Sequence, residues 1–401
     1  MKVLKDSFIY LIGELFAKSL PFLMLPYLTR KLGPEGFGEL SYYLTWLALF
    51  GIFIGLSQEG AITRYFYFYG NQAVDLIVRA GYVYNIAFSL VSLMVAWYLK
   101  SEVLAYIVII AMFNSFLSVQ LALRQAQKQP IPYIIIQFLS SVSMVGLTII
   151  MLEFFVGDQV INRLLALLLS ALLVFLITYF YINRSFQLRR SFGLQHYKAA
   201  LAYIFAFGIP LVLHQLSFFM KGQVDRIFIY QLYTPTELGV YSAGVQIASV
   251  LTIFFMALNK AIVPYYYEKL KNGNLTVAKI KKYNLASLAV IGIPAIICYF
   301  LPNSWFTWFL GAQFAKAQFY TVLFLVGYGL TLPYLILVNF FFFHGKNKLI
   351  ATVTFSTSMV YVILLAGLSQ LSIEFIPFSL IFSNLLMVVV LWIMLSKNQE
   401  A

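Results

Sequence analysis

Read against its polar and helix-breaking positions, the chain resolves into twelve apolar runs. They lie at about 8–29, 40–58, 80–99, 103–123, 131–152, 163–183, 200–220, 239–259, 284–302, 319–342, 349–368 and 375–395. Each approaches the ~20 residues that an α-helix needs to cross a bilayer, so the pattern predicts twelve membrane helices. Twelve such spans use about 240 residues. The rest, shared among eleven loops and two tails, averages about a dozen residues per segment, which leaves no room for a folded soluble domain. The opening Lys2 and Lys5 before an apolar stretch imitate a signal peptide. That stretch carries Pro21 and Pro26, lacks a small-residue cleavage site and runs on into Arg30 and Lys31, so it reads as a retained first helix.

Composition confirms the class. Of 401 residues, 62% are hydrophobic and 10% charged, with a mean hydropathy of +0.87; soluble domains carry roughly 25% charged residues. A soluble enzyme, a nucleic-acid-binding domain and a disordered scaffold are excluded. The single cysteine, Cys298, sits in the run Ile296–Phe300 and reads as a small buried hydrophobe.

The net charge of +13 would suggest an acidic partner in a soluble chain. Here its placement decides its meaning. With twelve spans both termini share one side. That side holds nineteen of the 27 Lys and Arg residues, from Lys2 and Lys5 through Arg79, Arg124 and Lys260 to Lys397, against about five acids. The excess is a positive-inside signal. It predicts a multi-pass membrane protein with both termini cytoplasmic.

The chain also repeats itself. Gly33-Pro34-Glu35-Gly36-Phe37-Gly38-Glu39-Leu40-Ser41 matches Thr234-Pro235-Thr236-Glu237-Leu238-Gly239-Val240-Tyr241-Ser242 in the register of Pro, Gly and Ser. Ala61-Ile62 with Tyr65 is echoed by Ala261-Ile262 with Tyr265, and Ser143-Met144-Val145 by Ser358-Met359-Val360. The three echoes fall at corresponding places of two six-helix units. Units with an even number of spans start on the same side, so the repeats are parallel, an arrangement found in transporters. The expected organisation is an N-terminal six-helix lobe at 1–183, a basic cytoplasmic linker at 184–199 and a C-terminal six-helix lobe at 200–401. A structural scaffold or a duplicated integral enzyme would give the same repeat.

Ionisable residues inside membrane spans are costly and usually face a partner or a watery cavity. Span one holds Glu14 and Lys18, four apart on one helix face; span seven holds Lys221 and Asp225 at the same spacing, then Arg226, with His214 earlier. Each group has two readings: a self-neutralised pair that fixes packing, or the lining of a cavity. In span seven, three charges leave one base unpaired. Arg30 and Lys31 read as interfacial anchors or a phosphate contact. Arg64, at the inner end of span two, reads as a topology signal, a headgroup contact or a first contact for an anionic ligand. The tyrosines at 65, 67, 69 and 265–267 form aromatic belts or a stacking surface for sugars.

There is no G-x-x-x-x-G-K-[ST], no H-E-x-x-H, no Cys/His metal set and no Asp-x-Asp of the kind that holds a metal-bound sugar nucleotide. These absences point away from ATP binding by this chain and from an enzyme. No cofactor or metal is expected, and the energy source is an ion gradient, the membrane potential or product removal.

Residues 25–38, Leu-Pro-Tyr-Leu-Thr-Arg-Lys-Leu-Gly-Pro-Glu-Gly-Phe-Gly, resemble the first helix and outer turn of polysaccharide (O-antigen type) flippases. These belong to the multidrug/oligosaccharidyl-lipid/polysaccharide (MOP) exporter superfamily. Phe207-Gly208-Ile209-Pro210-Leu211 and Asp225-Arg226-Ile227-Phe228-Ile229 resemble that family's seventh helix, and Gly239-Val240-Tyr241-Ser242 its eighth. The resemblance implies an all-α, MATE-like two-lobe transporter that turns an oligosaccharide on undecaprenyl pyrophosphate from the inner to the outer leaflet. The implied partners are that lipid-linked substrate and membrane lipids, with polysaccharide polymerase and chain-length machinery as candidate protein partners and no nucleic acid. Candidate substrate contacts are Arg30, Arg64, Lys221 and Arg226; Glu14, Lys18, His214 and Asp225 are candidate coupling or cavity-pairing groups. The competing readings are a multidrug or cation exporter of the same fold and an integral polysaccharide polymerase.

Overall fold

The computed structural model of the protein describes residues 19–70, 73–182 and 192–397, and among them every regular element is helical. Eleven helical stretches are long and apolar enough to cross a membrane. The first predicted span, 8–29, lies mostly outside the described residues, and the eleven stretches account for the other spans. The protein is therefore an all-α, multi-pass membrane protein. In lipid, backbone polar groups find no water, and a helix satisfies them within one segment.

The first long element, α1 (Leu25–Gly55), was expected to be two spans joined by an outer turn. The turn is in fact a one-residue break. Gly33 has φ +66° and ψ 179°, and Pro34 follows it. A side chain would be strained at this φ, and Pro34 brings no N–H to a fresh helix start. A second break at Leu56 and Ser57, both left-handed, separates α1 from α2 (Gln58–Tyr69). Then follow α3 (Val74–Tyr98), α4 (Glu102–Ala126), α5 (Pro130–Phe154) and α6 (Gln159–Ile177).

The second half holds α7 (Leu194–Leu232), α8 (Pro235–Lys271), α9 (Val277–Val290), α10 (Ile293–Phe300), α11 (Asn303–Leu310), α12 (Ala317–Gly329), α13 (Thr331–Phe343), α14 (Asn347–Leu368) and α15 (Ile376–Lys397). Spans nine and ten are each divided between two helices, α9 with α10 and α12 with α13. Two other helix starts are chemically marked. Thr234 and Glu237 form a reciprocal capping box before α8, and the Asp158 carboxylate accepts from Val160 N at 2.7 Å at the start of α6.

Contacts divide the chain into two compact units. Among the described residues, one comprises 19–27 with Tyr42–Leu216; the other comprises Leu28–Ser41 with 217–397. The division falls inside α7, not at the expected linker. The first part of α7 packs in the first unit, where a Cβ on Gly208 would strike the carbonyl of Leu56 and Gln215 donates to Ser57 at 2.9 Å.

The short segment Leu28–Ser41 is held in the second unit by corresponding residues of the two repeats. A Cβ on Gly38 would overlap the carbonyl of Pro235, and one on Gly239 would overlap the carbonyl of Pro34. The Pro34–Pro235 and Gly38–Gly239 register of the sequence repeat thus reappears as a reciprocal contact.

In each unit, packing combines close backbone approach with interhelical hydrogen bonds, as expected where lipid removes the hydrophobic drive between helices. In the first, Asn85 and Ser115 share a 2.8 Å hydrogen bond beside the Gln58 amide. In the second, Asn284 donates to Pro333 O at 2.8 Å and Asn339 to Asn259 at 2.8 Å.

Candidate functional site

Span seven contributes the charged group of the second unit. Lys221 lies on a stretch of α7 that opens onto a cavity of about 240 Å³. Four other spans complete the walls: Met256 from α8, Tyr328 and Tyr334 from α12 and α13, Ser358 from α14, and Asn384 from α15. The Lys221 ammonium donates to Thr357 Oγ1 at 3.1 Å and Asn384 Oδ1 at 3.3 Å, and lies 3.9 Å from Met387 Sδ. All three are neutral.

The carboxylate four residues on is engaged elsewhere. Asp225, 2% exposed, accepts from Tyr241 Oη at 2.5 Å, from Arg226 N at 3.0 Å and from Arg226 Nη1 at 3.1 Å. Arg226 Nη1 also donates to Gly222 O at 2.6 Å. Tyr241 is in turn fixed between Tyr320 and Phe324 by ring contacts at 5.2 and 5.3 Å. The sequence spacing suggested Lys221 with Asp225 as the pair. The structure pairs Asp225 with Arg226, because the carboxylate turns toward Tyr241 of α8. Lys221 is the base left over. Asp225 and Arg226 do not line the cavity that Lys221 lines.

Arg30, in the segment Leu28–Ser41, donates through Nη2 to the backbone carbonyl of Trp308. Trp308 belongs to α11, a short helix that the hydrophobic runs did not reveal. Arg64 lies in the first unit and is exposed. Its guanidinium stands 5.0 Å from the ring centre of Phe68, 5.9 Å from Phe207 and 6.0 Å from Tyr203. Tyr65 and Tyr69 complete an aromatic group around Tyr203, at 5.4 and 6.3 Å. His214 is exposed on the first-unit part of α7. Glu14 and Lys18 lie outside the described residues.

Sequence reasoning missed a second cavity, in the first unit, of about 300 Å³. Its signal was legible as polar positions at helical spacing in span five, Gln137, Ser140 and Ser141. It also missed Arg163, 6% exposed, which stands at the very start of span six, where a base reads as an ordinary interfacial anchor.

Comparison with known proteins follows the same lines. A family model described as polysaccharide biosynthesis protein matches residues 3–270. The chain belongs to that family. A protein of the Lsg locus of Haemophilus influenzae is 47% identical over 99% of both chains. A membrane protein of the same organism is 45% identical over 100% of this chain and 98% of its own.

Among solved structures, the fold matches an inward-facing multidrug-resistance MATE family transporter of the MOP superfamily. The TM-score is 0.69 at 16% identity, covering 94% of each chain. It also matches an outward-facing MATE transporter with TM-score 0.62 at 15% identity, covering 99% of this chain and 95% of the other. A MOP superfamily transporter from Pyrococcus furiosus gives 0.58 at 17% identity, with the same coverage. At such identities the likeness is one of fold. Family and fold together are those of a polysaccharide-biosynthesis protein built on the fold of MATE transporters.

Proposed function

We propose that the protein is a flippase. It moves an oligosaccharide on undecaprenyl pyrophosphate from the inner to the outer leaflet of the bacterial cytoplasmic membrane by alternating access. The observation that carries this reading is Lys221, an intramembrane ammonium on a cavity wall whose partners among the described residues are all neutral. Withdrawing such a charge from water costs several kcal/mol unless an opposite charge arrives. A diphosphate supplies it.

Arg64, exposed and ringed by aromatic side chains, is a contact of the first unit in its own right: a cation for phosphate beside faces on which sugars stack. Arg226 and Asp225, bonded to each other and to Tyr241, act as a fixed pair that holds α7 against α8. Lys221 also argues against a cation exporter, since a cationic drug would meet a like charge in the cavity.

The test is Lys221→Met in the host. Surface polysaccharide should be lost and lipid-linked oligosaccharide should accumulate on the inner leaflet, with the protein at normal level in the membrane. Normal surface polysaccharide in that strain would sink the assignment.

A further inference from the structure

The two cavities correspond through the internal repeat. The second-unit cavity takes side chains from spans eight, ten, eleven and twelve besides Lys221 of span seven. The first-unit cavity takes them from spans two, four, five and six, which are the repeat equivalents of those four. At about 300 Å³ it stands at the small end of the ~300–1,000 Å³ usual for small-molecule sites, enough for one sugar ring and too small for a chain.

Its polar lining is uncharged: Asn114, Gln137, Ser140, Ser141 and Ser170, set among leucines and Met144. Amides and hydroxyls on apolar walls supply both donors and acceptors for ring hydroxyls.

The charge stands at one end. On α5 the lining face Gln137, Ser140, Ser141, Met144 continues at helical spacing to Thr148. On α6 the lining face Leu167, Ser170, Ala171 begins one turn earlier with Arg163. Arg163 Nη1 donates to Thr148 Oγ1, and Nη2 lies 3.2 Å from Met144 Sδ. Its Nε is buried with no partner, and among the described residues no carboxylate pairs with it. A hydroxyl and a thioether are poor compensation for a desolvated guanidinium. Met144 both touches Arg163 and lines the cavity, so the guanidinium and the open space share one flexible side chain as a neighbour.

We propose that this cavity binds one sugar residue bearing a carboxylate, with Arg163 as the partner of that carboxylate. The planar guanidinium fork matches a carboxylate with two parallel hydrogen bonds, while the amides and serines take the ring hydroxyls. The proposal rests on the oligosaccharide reading above and narrows its substrate to acidic glycans.

The experiment measures ligand binding by saturation-transfer NMR to the full-length protein in lipid nanodiscs. The probes are methyl β-glucuronide, methyl β-glucoside, acetate and inorganic phosphate. The glucuronide should bind at least tenfold more tightly than the other three. Arg163→Gln should bring it down to the level of the glucoside. Ser140→Val, which narrows the cavity and keeps the arginine, should weaken both sugars and provides the readout if Arg163→Gln fails to fold.

No glucuronide binding to the wild-type protein would overturn the proposal. So would equal binding of glucuronide and glucoside, acetate or phosphate binding as tightly as the glucuronide, or undiminished glucuronide binding in a folded Arg163→Gln protein. If Arg163→Gln does not fold, undiminished sugar binding by Ser140→Val overturns it. The probes carry no lipid and need no translocation. A failure here therefore leaves the Lys221→Met test standing, and a failure of that test leaves this one readable.

Discussion

Gly38→Ala isolates the reciprocal contact between the repeats. Gly38 lies inside a helix, so alanine should by propensity stabilise it, by about 0.8–1 kcal/mol. The geometry opposes this. The added Cβ would overlap the backbone carbonyl of Pro235, with the backbone nitrogen of Gly239 at 2.9 Å. Backbone cannot swing aside as a side-chain tip can, so two helix starts must move apart. Overpacking of this kind costs typically about 1–3 kcal/mol; with a backbone atom as the obstacle the upper half of that range applies. The net expectation is a destabilisation of about 1–2 kcal/mol.

Gly146→Ala is the control. It too is helical, and a Cβ there meets nothing within 4 Å, so it should be neutral or slightly stabilising. Gly239→Ala should behave like Gly38→Ala, and the double variant should cost less than the sum, because both substitutions open the same contact. Thermal unfolding of the purified protein in one detergent, followed by tryptophan fluorescence, measures all four. A Gly38→Ala protein as stable as Gly146→Ala would refute the reasoning.

Other substitutions separate structure from function. Asp225→Asn leaves the Arg226 guanidinium without its counter-charge and should destabilise by about 3–5 kcal/mol, read by the same unfolding assay. Tyr241→Phe removes one hydrogen bond to that carboxylate and should cost about 1.5–3 kcal/mol. Lys221→Met replaces a poorly compensated charge with an apolar chain of similar length; its unfolding temperature should equal or exceed that of the parent while transport is lost. Arg64→Gln removes exposed cation–π contacts, worth about 0.5–1 kcal/mol each. With three such rings it should destabilise by up to about 1.5–3 kcal/mol and slow transport in a reconstituted assay.

The spans were legible because a bilayer demands runs of about twenty apolar residues, and the repeat because Pro34, Gly38 and Ser41 recur in register. What the runs could not show was where helices break or how charges pair. Gly33 with Pro34 reads equally as a loop or as a one-residue break; only backbone angles distinguish them. Asp225 stands four residues from Lys221, the usual pairing distance, yet a tyrosine sixteen residues away on another helix turns the carboxylate toward Arg226. The partner of Arg30 was hidden in α11, whose eight residues are too few to register as a run. Arg163 was hidden by its position: at the edge of a span a base is ordinary, and its burial comes from neighbouring helices. The first part of α7 belongs to the first unit, where Gly208 meets the carbonyl of Leu56, a contact between distant parts of the chain.

The central claim is that this protein carries a pyrophosphate-linked glycan across a bilayer with Lys221 as a contact for its anionic group. It is tested most directly by purified protein in proteoliposomes. Fluorescent undecaprenyl-pyrophosphate-linked sugar is placed in both leaflets, and the outward-facing fraction is quenched by a membrane-impermeant reductant. With the wild-type protein nearly all of the fluorescence should be lost as the inner pool crosses. With Lys221→Met at equal protein density, only the outer half should be lost. Equal loss with both proteins, or loss of only the outer half with the wild type, would contradict the account.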